Sequence, residues 1–171
     1  MPEPVRLIGL DPSLTRTGWG IIDVKGRDFA FVASGAVRTN PKQTMAERLG
    51  HLDCELGKVL ETHGPAEAAL EQIFVNRNPR STLALGLARG AVFVSVARRQ
   101  MPVHEYAPAT VKQAVTGQGN ASKERVAALV RALLPKATLE THDASDALAV
   151  AICHANHARS HARLVVTGGC P

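Results

Sequence analysis

The chain is poor in aromatic rings and in cysteine, and it has no long apolar run. Aromatics make up 4% of its 171 residues, so any exposed ring calls for a reason. The three cysteines, Cys54, Cys153 and Cys170, are odd in number and show no C-x-x-C spacing. That excludes a disulfide framework and a cysteine zinc site, and it fits reduced thiols in a cytoplasmic protein. The longest apolar stretches, such as Ala91 to Val94 and Ala147 to Cys153, are far too short to cross a bilayer, so no membrane partner is expected. The opening MPEPVRLIGLDP lacks the basic start and apolar core of a signal peptide. Acidic residues are outnumbered, 15 against 20 Lys and Arg, giving a net charge of +5. A basic balance suits an anionic partner such as nucleic acid.

What is present is a regular alternation of apolar segments. Val5 to Leu10 reads as a buried strand ending at Asp11. Gly18 to Val24 and Phe29 to Val37 read as two more strands, joined by a hairpin turn at Lys25-Gly26-Arg27. Thr44-x-x-Glu47 is a capping-box pattern opening a helix that Gly64-Pro65 stops. Ala68 to Gln72 is a strand carrying Glu71, and Asn76 to Arg80 is a basic loop. A helix capped by Ser81 runs to about Gln100, and Pro102 to Tyr106 is a fifth strand. Pro108 opens a helix closed by Gly117, Ser122 starts another, and the last runs from Asp143 to about His157. Strands first, then helix and strand in alternation, predict an α/β fold: a mixed five-stranded sheet with helices on both faces. Residues 1–159 form one domain, and the tail 160–171, with Gly168-Gly169, is expected to be flexible.

Four carboxylates stand at positions that matter. Asp11 ends the first strand, where open sheets bind ligands. Glu71 ends a later strand, and Asp143 and Asp146 share one face of a helix start. If they meet, their mutual repulsion calls for a divalent cation. Oxygen-only ligands suit Mg²⁺ or Mn²⁺, and four carboxylates can hold two ions at the spacing used to cleave phosphodiesters. Each acid also has a plainer role: Asp143 or Asp146 as a helix cap, Glu71 as an edge residue facing water, Asp11 as a turn cap.

GLDPSLTRTGWG, EQIF, NRNP, LALGLARG, VKQAVTGQG and DASDALAVAICH, in this order from about Leu7 to His154, resemble the RuvC family of Holliday-junction resolvases. The resemblance implies a ribonuclease-H-like fold, a homodimer, four-way junction DNA as substrate, and two Mg²⁺ ions per subunit. It implies catalytic, metal-binding acids at Asp11, Glu71, Asp143 and Asp146; His142 is not carried over. Phe74 matches an aromatic that contacts junction bases. Lys112 and Lys123 match basic residues near the DNA, and Lys123 could offset charge on the scissile phosphate. Arg77 and Arg80 in the basic loop are further candidates for phosphate contact, as are Arg89 and Arg125. The expected outcome is paired nicks with sealable 5′-phosphate ends, made in recombination and repair beside the branch-migration proteins RuvA and RuvB. The rivals are a non-catalytic nucleic-acid-binding protein and a nuclease for RNA or RNA–DNA hybrids.

Three further patterns need an account. Gly9 to Gly20 also resembles a phosphate-binding ATPase hairpin, but that architecture needs two such domains and the chain is too short. Gly86 and Gly90 give the long helix a small-residue patch: ordinary internal packing, or, by the resemblance, the dimer interface. His154, His157 and His161 fall at helical spacing, and the preferred reading is a helix end decorated with cations that oppose its dipole.

Overall fold

The computed structural model describes residues 3–73, 78–137 and 141–167, the stretch 159–167 as backbone alone. The element order is β1 (Val5–Asp11), β2 (Arg16–Lys25), β3 (Asp28–Arg38), α1 (Met45–His63), β4 (Glu67–Glu71), α2 (Pro79–Ala97), β5 (Val103–Tyr106), α3 (Pro108–Thr116), α4 (Lys123–Leu133) and α5 (His142–Thr167). The sheet order is β3-β2-β1-β4-β5. The first three strands form an antiparallel meander, while β4 and β5 run parallel to β1. This is the mixed five-stranded sheet the sequence predicts, in a ribonuclease-H-like fold.

Alternation along β1 sends side chains to two cores. Leu7 joins Ile22, Ala69 and the inner faces of α3, α4 and α5, whereas Ile8 and Leu10 join Ile21, Leu70, α1 and α2. Helices therefore cover both faces. The punctuation is largely as read: Thr44 and Glu47 form the capping box of α1, and Gly64 closes it at φ 56°. Gly117, at φ 77°, closes α3; both are left-handed positions that glycine adopts without strain.

Two boundaries differ. Helix α2 is capped by Asn78 and not by Ser81, because the Asn78 Oδ1 accepts from the Arg80 and Ser81 amides and Pro79 supplies a helical φ at the first position. Helix α5 continues to Thr167, past the expected end near His157 and past 159, since nothing before Gly168 breaks it. The backbone of 160–167 is thus helical, and 168–171 lie outside the described residues.

By length and composition alone α2 could cross a membrane. Its apolarity has a local use, since Ala88, Val92 and Val96 are fully buried against the sheet.

Candidate active site

The parallel register sets the first pair of acids. Leu10 of β1 lies beside Leu70 of β4, so Asp11 and Glu71 follow one step later at the same sheet edge. Neighbouring strands are only about 4.8 Å apart, which makes these two carboxylates close neighbours.

The second pair arrives on α5, and glycine allows it. A Cβ on Gly18, the β2 partner of Asp11, would sit 2.2 Å from the Asp143 carbonyl oxygen. One on Gly9 would sit 1.9 Å from the Ala147 carbonyl oxygen, and one on Gly20 would strike Leu148 at 2.5 Å. The first turns of α5 therefore lie directly on β1 and β2. The glycines that resemble an ATPase hairpin are explained by this helix approach. Capping of α5 falls to Thr141, whose Oγ1 accepts from the Ala144 amide at 3.2 Å, so neither Asp143 nor Asp146 is spent on it.

The four acids feel one another. Burial first, then the charges of Asp146, Glu71 and Asp143, push the Asp11 carboxyl up to about 7. Glu71 and Asp146 are also raised, again chiefly by burial. Lys123 opposes these shifts: its Nζ stands 3.6 Å from Asp146 Oδ2 on an exposed side chain. Asp143 pairs with Arg16 at 2.5 Å. Three half-buried carboxyls, Asp11, Glu71 and Asp146, raised toward protonation chiefly by burial, are what a divalent cation would relieve; the donor chemistry fits Mg²⁺ or Mn²⁺.

Beside the acids a small cleft is lined by Glu71, Lys112, Lys123 and Asp146, with Pro108, Val111 and Val126 behind them. Lys112 and Lys123 thus reach the same place from α3 and α4. Arg80 is exposed at the start of α2. Phe74 and Arg77 lie outside the described residues. Gly86 and Gly90 are exposed, with open space where a Cβ would stand, so internal packing against the sheet is not their role.

Two arginines carry roles that the sequence reading missed. Arg89 was a phosphate-contact candidate, but it is buried; it donates to the Glu71 carbonyl at 2.6 Å and to the Glu105 carboxylate, and lies over Phe93. It fixes the end of β4, and its guanidinium is engaged inside the chain. Arg16 was not singled out at all, although it holds Asp143. His154 is another correction. It sits mid-helix, 2% exposed, so it is no solvated decoration of a helix end.

Comparison with known proteins gives a consistent result. The family model described as crossover junction endodeoxyribonuclease RuvC matches residues 7–154. A crossover junction endodeoxyribonuclease RuvC of Xanthobacter autotrophicus is 54% identical over 93% of this chain and 94% of its own length. One from Rhodospirillum rubrum is 52% identical over 90% of each chain. The structure of Thermus thermophilus RuvC in complex with Holliday junction substrate superposes with a TM-score of 0.87 at 35% identity, covering 92% of this chain and 96% of that one.

Proposed function

Because the chain belongs to the RuvC family of crossover junction endodeoxyribonucleases, and so is a nuclease that resolves Holliday junctions, we propose that it does this by paired, symmetric nicks made by a homodimer with two divalent ions in each acidic pit. The observation that carries this reading is the convergence of Asp11, Glu71, Asp143 and Asp146 at one sheet edge, with Asp11 raised to about 7 by burial and by the other three acids.

In this reading Asp11, Glu71, Asp143 and Asp146 would hold Mg²⁺, with Mn²⁺ as a substitute, and Asp11, on which the other three charges act, would be the central ligand. When bound, such ions supply a lowered water pKa and stabilisation of the leaving 3′ oxygen. The rest is done by side chains of this chain. Asp11 and Glu71, fixed on strand ends, set the position of the attacked phosphate relative to the sheet. Lys123, exposed at the rim beside Asp146, offsets charge on that phosphate as it is attacked. Lys112 in the cleft and Arg80 at the start of α2 track neighbouring phosphates; Arg77 is proposed for the same role and Phe74 for contact with junction bases. With four of the fifteen acids assigned to the pit, eleven remain elsewhere against twenty Lys and Arg, so the rest of the chain is more basic than its net +5 suggests, which suits a polyanionic substrate.

The dimer is supported by α2. Leu83, Leu87 and Val94 are exposed at helical spacing, with Gly86 and Gly90 open beside them. An outward apolar stripe of this kind on a helix already packed against the sheet fits a second copy of the chain. RuvA and RuvB are the partners that go with this role in recombination and repair. A cytoplasmic location goes with Cys54 and Cys153 as free thiols.

The test is cleavage of a four-way junction, a duplex and an RNA–DNA hybrid by the wild type and by Glu71→Gln. We expect Mg²⁺-dependent nicking of the junction alone, lost in the variant while junction binding persists. Equal cleavage of the hybrid, or an active Glu71→Gln protein, would overturn the proposed reading of the site.

A further inference from the structure

We propose that Glu67, His104 and His154 form a second metal site, separate from the carboxylate pit, which takes one Zn²⁺-class transition-metal ion and clips α5 to the β4–β5 edge of the sheet. The three side chains come from β4, β5 and α5, and their ligand atoms all lie within 4.8 Å of one another. Nε2 of His154 is 2.9 Å from Glu67 Oε2, and Nε2 of His104 is 3.0 Å from the same oxygen. Both ring nitrogens thus face the same carboxylate oxygen, and the two imidazoles lie against each other with centroids 4.3 Å apart.

A tetrahedral ion with bonds of about 2.0–2.1 Å holds its donors roughly 3.3–3.4 Å apart. The two nitrogen-to-oxygen separations fall only a few tenths of an ångström short, and all three ligand atoms lie within 4.8 Å of one another, so an adjustment of side-chain rotamers would seat the ion. Access and anchoring are divided between the two sides. His104 and Glu67 are partly exposed, which admits the ion and leaves room for water as a fourth ligand. His154 is buried and is held from behind, its Nδ1 lying 2.7 Å from the Tyr106 hydroxyl. A ligating imidazole commonly has its second nitrogen fixed in this way, which sets the tautomer and the ring direction. Burial lowers the His154 pKa, with His104 and His157 acting in the same direction and Glu67 opposing, so the ring tends to be neutral and ready to ligate.

Donor type and position keep this site distinct from the pit. Two nitrogens and one oxygen favour Zn²⁺, Co²⁺ or Ni²⁺ over Mg²⁺. Glu67 stands four residues before Glu71 on an extended strand, about 13 Å away. His154 stands eight residues after Asp146 on a helix, about 12 Å away. No single ion can bridge such gaps. An ion bound here would join the start of β4, the middle of β5 and the middle of α5, the helix that carries Asp143 and Asp146. It would therefore stabilise the folded chain by mass action.

The experiment is titration of Co²⁺ into the metal-stripped full-length protein in excess Mg²⁺, which loads the oxygen-donor pit. The readouts are the visible absorption of nitrogen-bound cobalt and the thermal shift given by Zn²⁺ under the same conditions. We expect one equivalent of Co²⁺, displaced by Zn²⁺, and a rise in Tm with Zn²⁺. His104→Ala and the near-isosteric Glu67→Gln should each weaken uptake by at least about tenfold, and Tyr106→Phe by a factor at the lower end of the 10–100-fold range of such outer contacts. Asp146→Asn should retain full uptake, and His104→Ala should still nick junctions in Mg²⁺. Absence of a one-equivalent site, uptake unchanged in both Glu67→Gln and His104→Ala, or loss of uptake in Asp146→Asn would each overturn the proposal.

Discussion

Asp11 pays most for its position: burial and the charges of Asp146, Glu71 and Asp143 push its carboxyl up to about 7, from 3.8 in a free chain. A raised acid pKa has a definite sign in folding. Below about 3.8 both states carry the proton and the site costs nothing; between 3.8 and about 7 the unfolded chain ionises freely while the folded chain resists. The metal-free protein should therefore lose stability as pH rises through that window and level off above it, while Asp11→Asn should flatten the slope and melt higher than wild type near neutrality. Thermal melts in chelator across the window check this; a wild type whose Tm follows the same curve as Asp11→Asn would mean that Asp11 bears no such strain. Arg89 makes a second case. Removing its guanidinium in Arg89→Met leaves the Glu71 carbonyl without its 2.6 Å donor, a charged hydrogen bond of about 1.5–3 kcal/mol. Tm should fall, and nicking should fall further than binding because the end of β4 positions Glu71. Equal losses in both would reduce Arg89 to a stabilising residue.

At the scale of elements, the site depends on how closely α5 can lie on β1 and β2. Replacing Gly9 by Ala would put a Cβ 1.9 Å from the Ala147 carbonyl, a backbone atom that cannot swing aside. Overpacking of this sort costs about 1–3 kcal/mol, and each kcal/mol is worth about 2–4 °C in a chain of this size. Gly9→Ala should lower Tm by several degrees and slow nicking, since the shift carries Asp143 and Asp146 away from Asp11. Calorimetry alongside single-turnover cleavage checks both, and an Ala variant of unchanged Tm would show that the helix is not in contact there. This packing explains what could be read in advance and what could not. Thr44 with Glu47, Pro108 and Gly117 announce themselves locally, because each acts through its own backbone conformation or through bonds to residues a few positions away. The four acids draw notice for a related reason: they sit at element ends and carry the resemblance. Arg89, Arg16 and the Glu67–His104–His154 group were not legible, since their partners lie on other elements and only the tertiary fold joins them. The histidine spacing on α5 in fact pointed the wrong way, matching His154 with His157 and His161 when its partners are on β4 and β5. Asn78 was passed over for Ser81 because both are good caps, and only Pro79 at the next position decides between them.

For the whole molecule the governing constraint is symmetry. A four-way junction has approximate two-fold symmetry, and its resolution takes two nicks in strands of like polarity. In the proposed reading the acids whose charges act on Asp11, namely Asp146, Glu71 and Asp143, form with it one site that would serve one strand at a time. A closed two-fold dimer would hold two pits in fixed relation. The surface best suited to the axis is the outer face of α2, where Leu83, at 66% exposure, begins an apolar stripe and Gly86 and Gly90 leave room for another backbone. Within one chain, side chains at Gly86 and Gly90 would meet only open space. A bulky residue there should not unfold the monomer, and exchanging glycine inside a helix should even favour it, by up to about 1 kcal/mol per site. Gly86→Leu combined with Gly90→Leu is therefore expected to keep or raise the intrinsic stability of the chain while pushing the dimer apart. Sedimentation of the variant should show monomer where wild type shows dimer. On a supercoiled circle extruding a junction, wild type should produce linear molecules by paired cutting, whereas the variant should accumulate relaxed circles carrying isolated nicks. A variant that stays dimeric and still linearises the circle would move the interface off α2, and a wild type that is monomeric on the junction yet linearises it would remove the dimer from the mechanism.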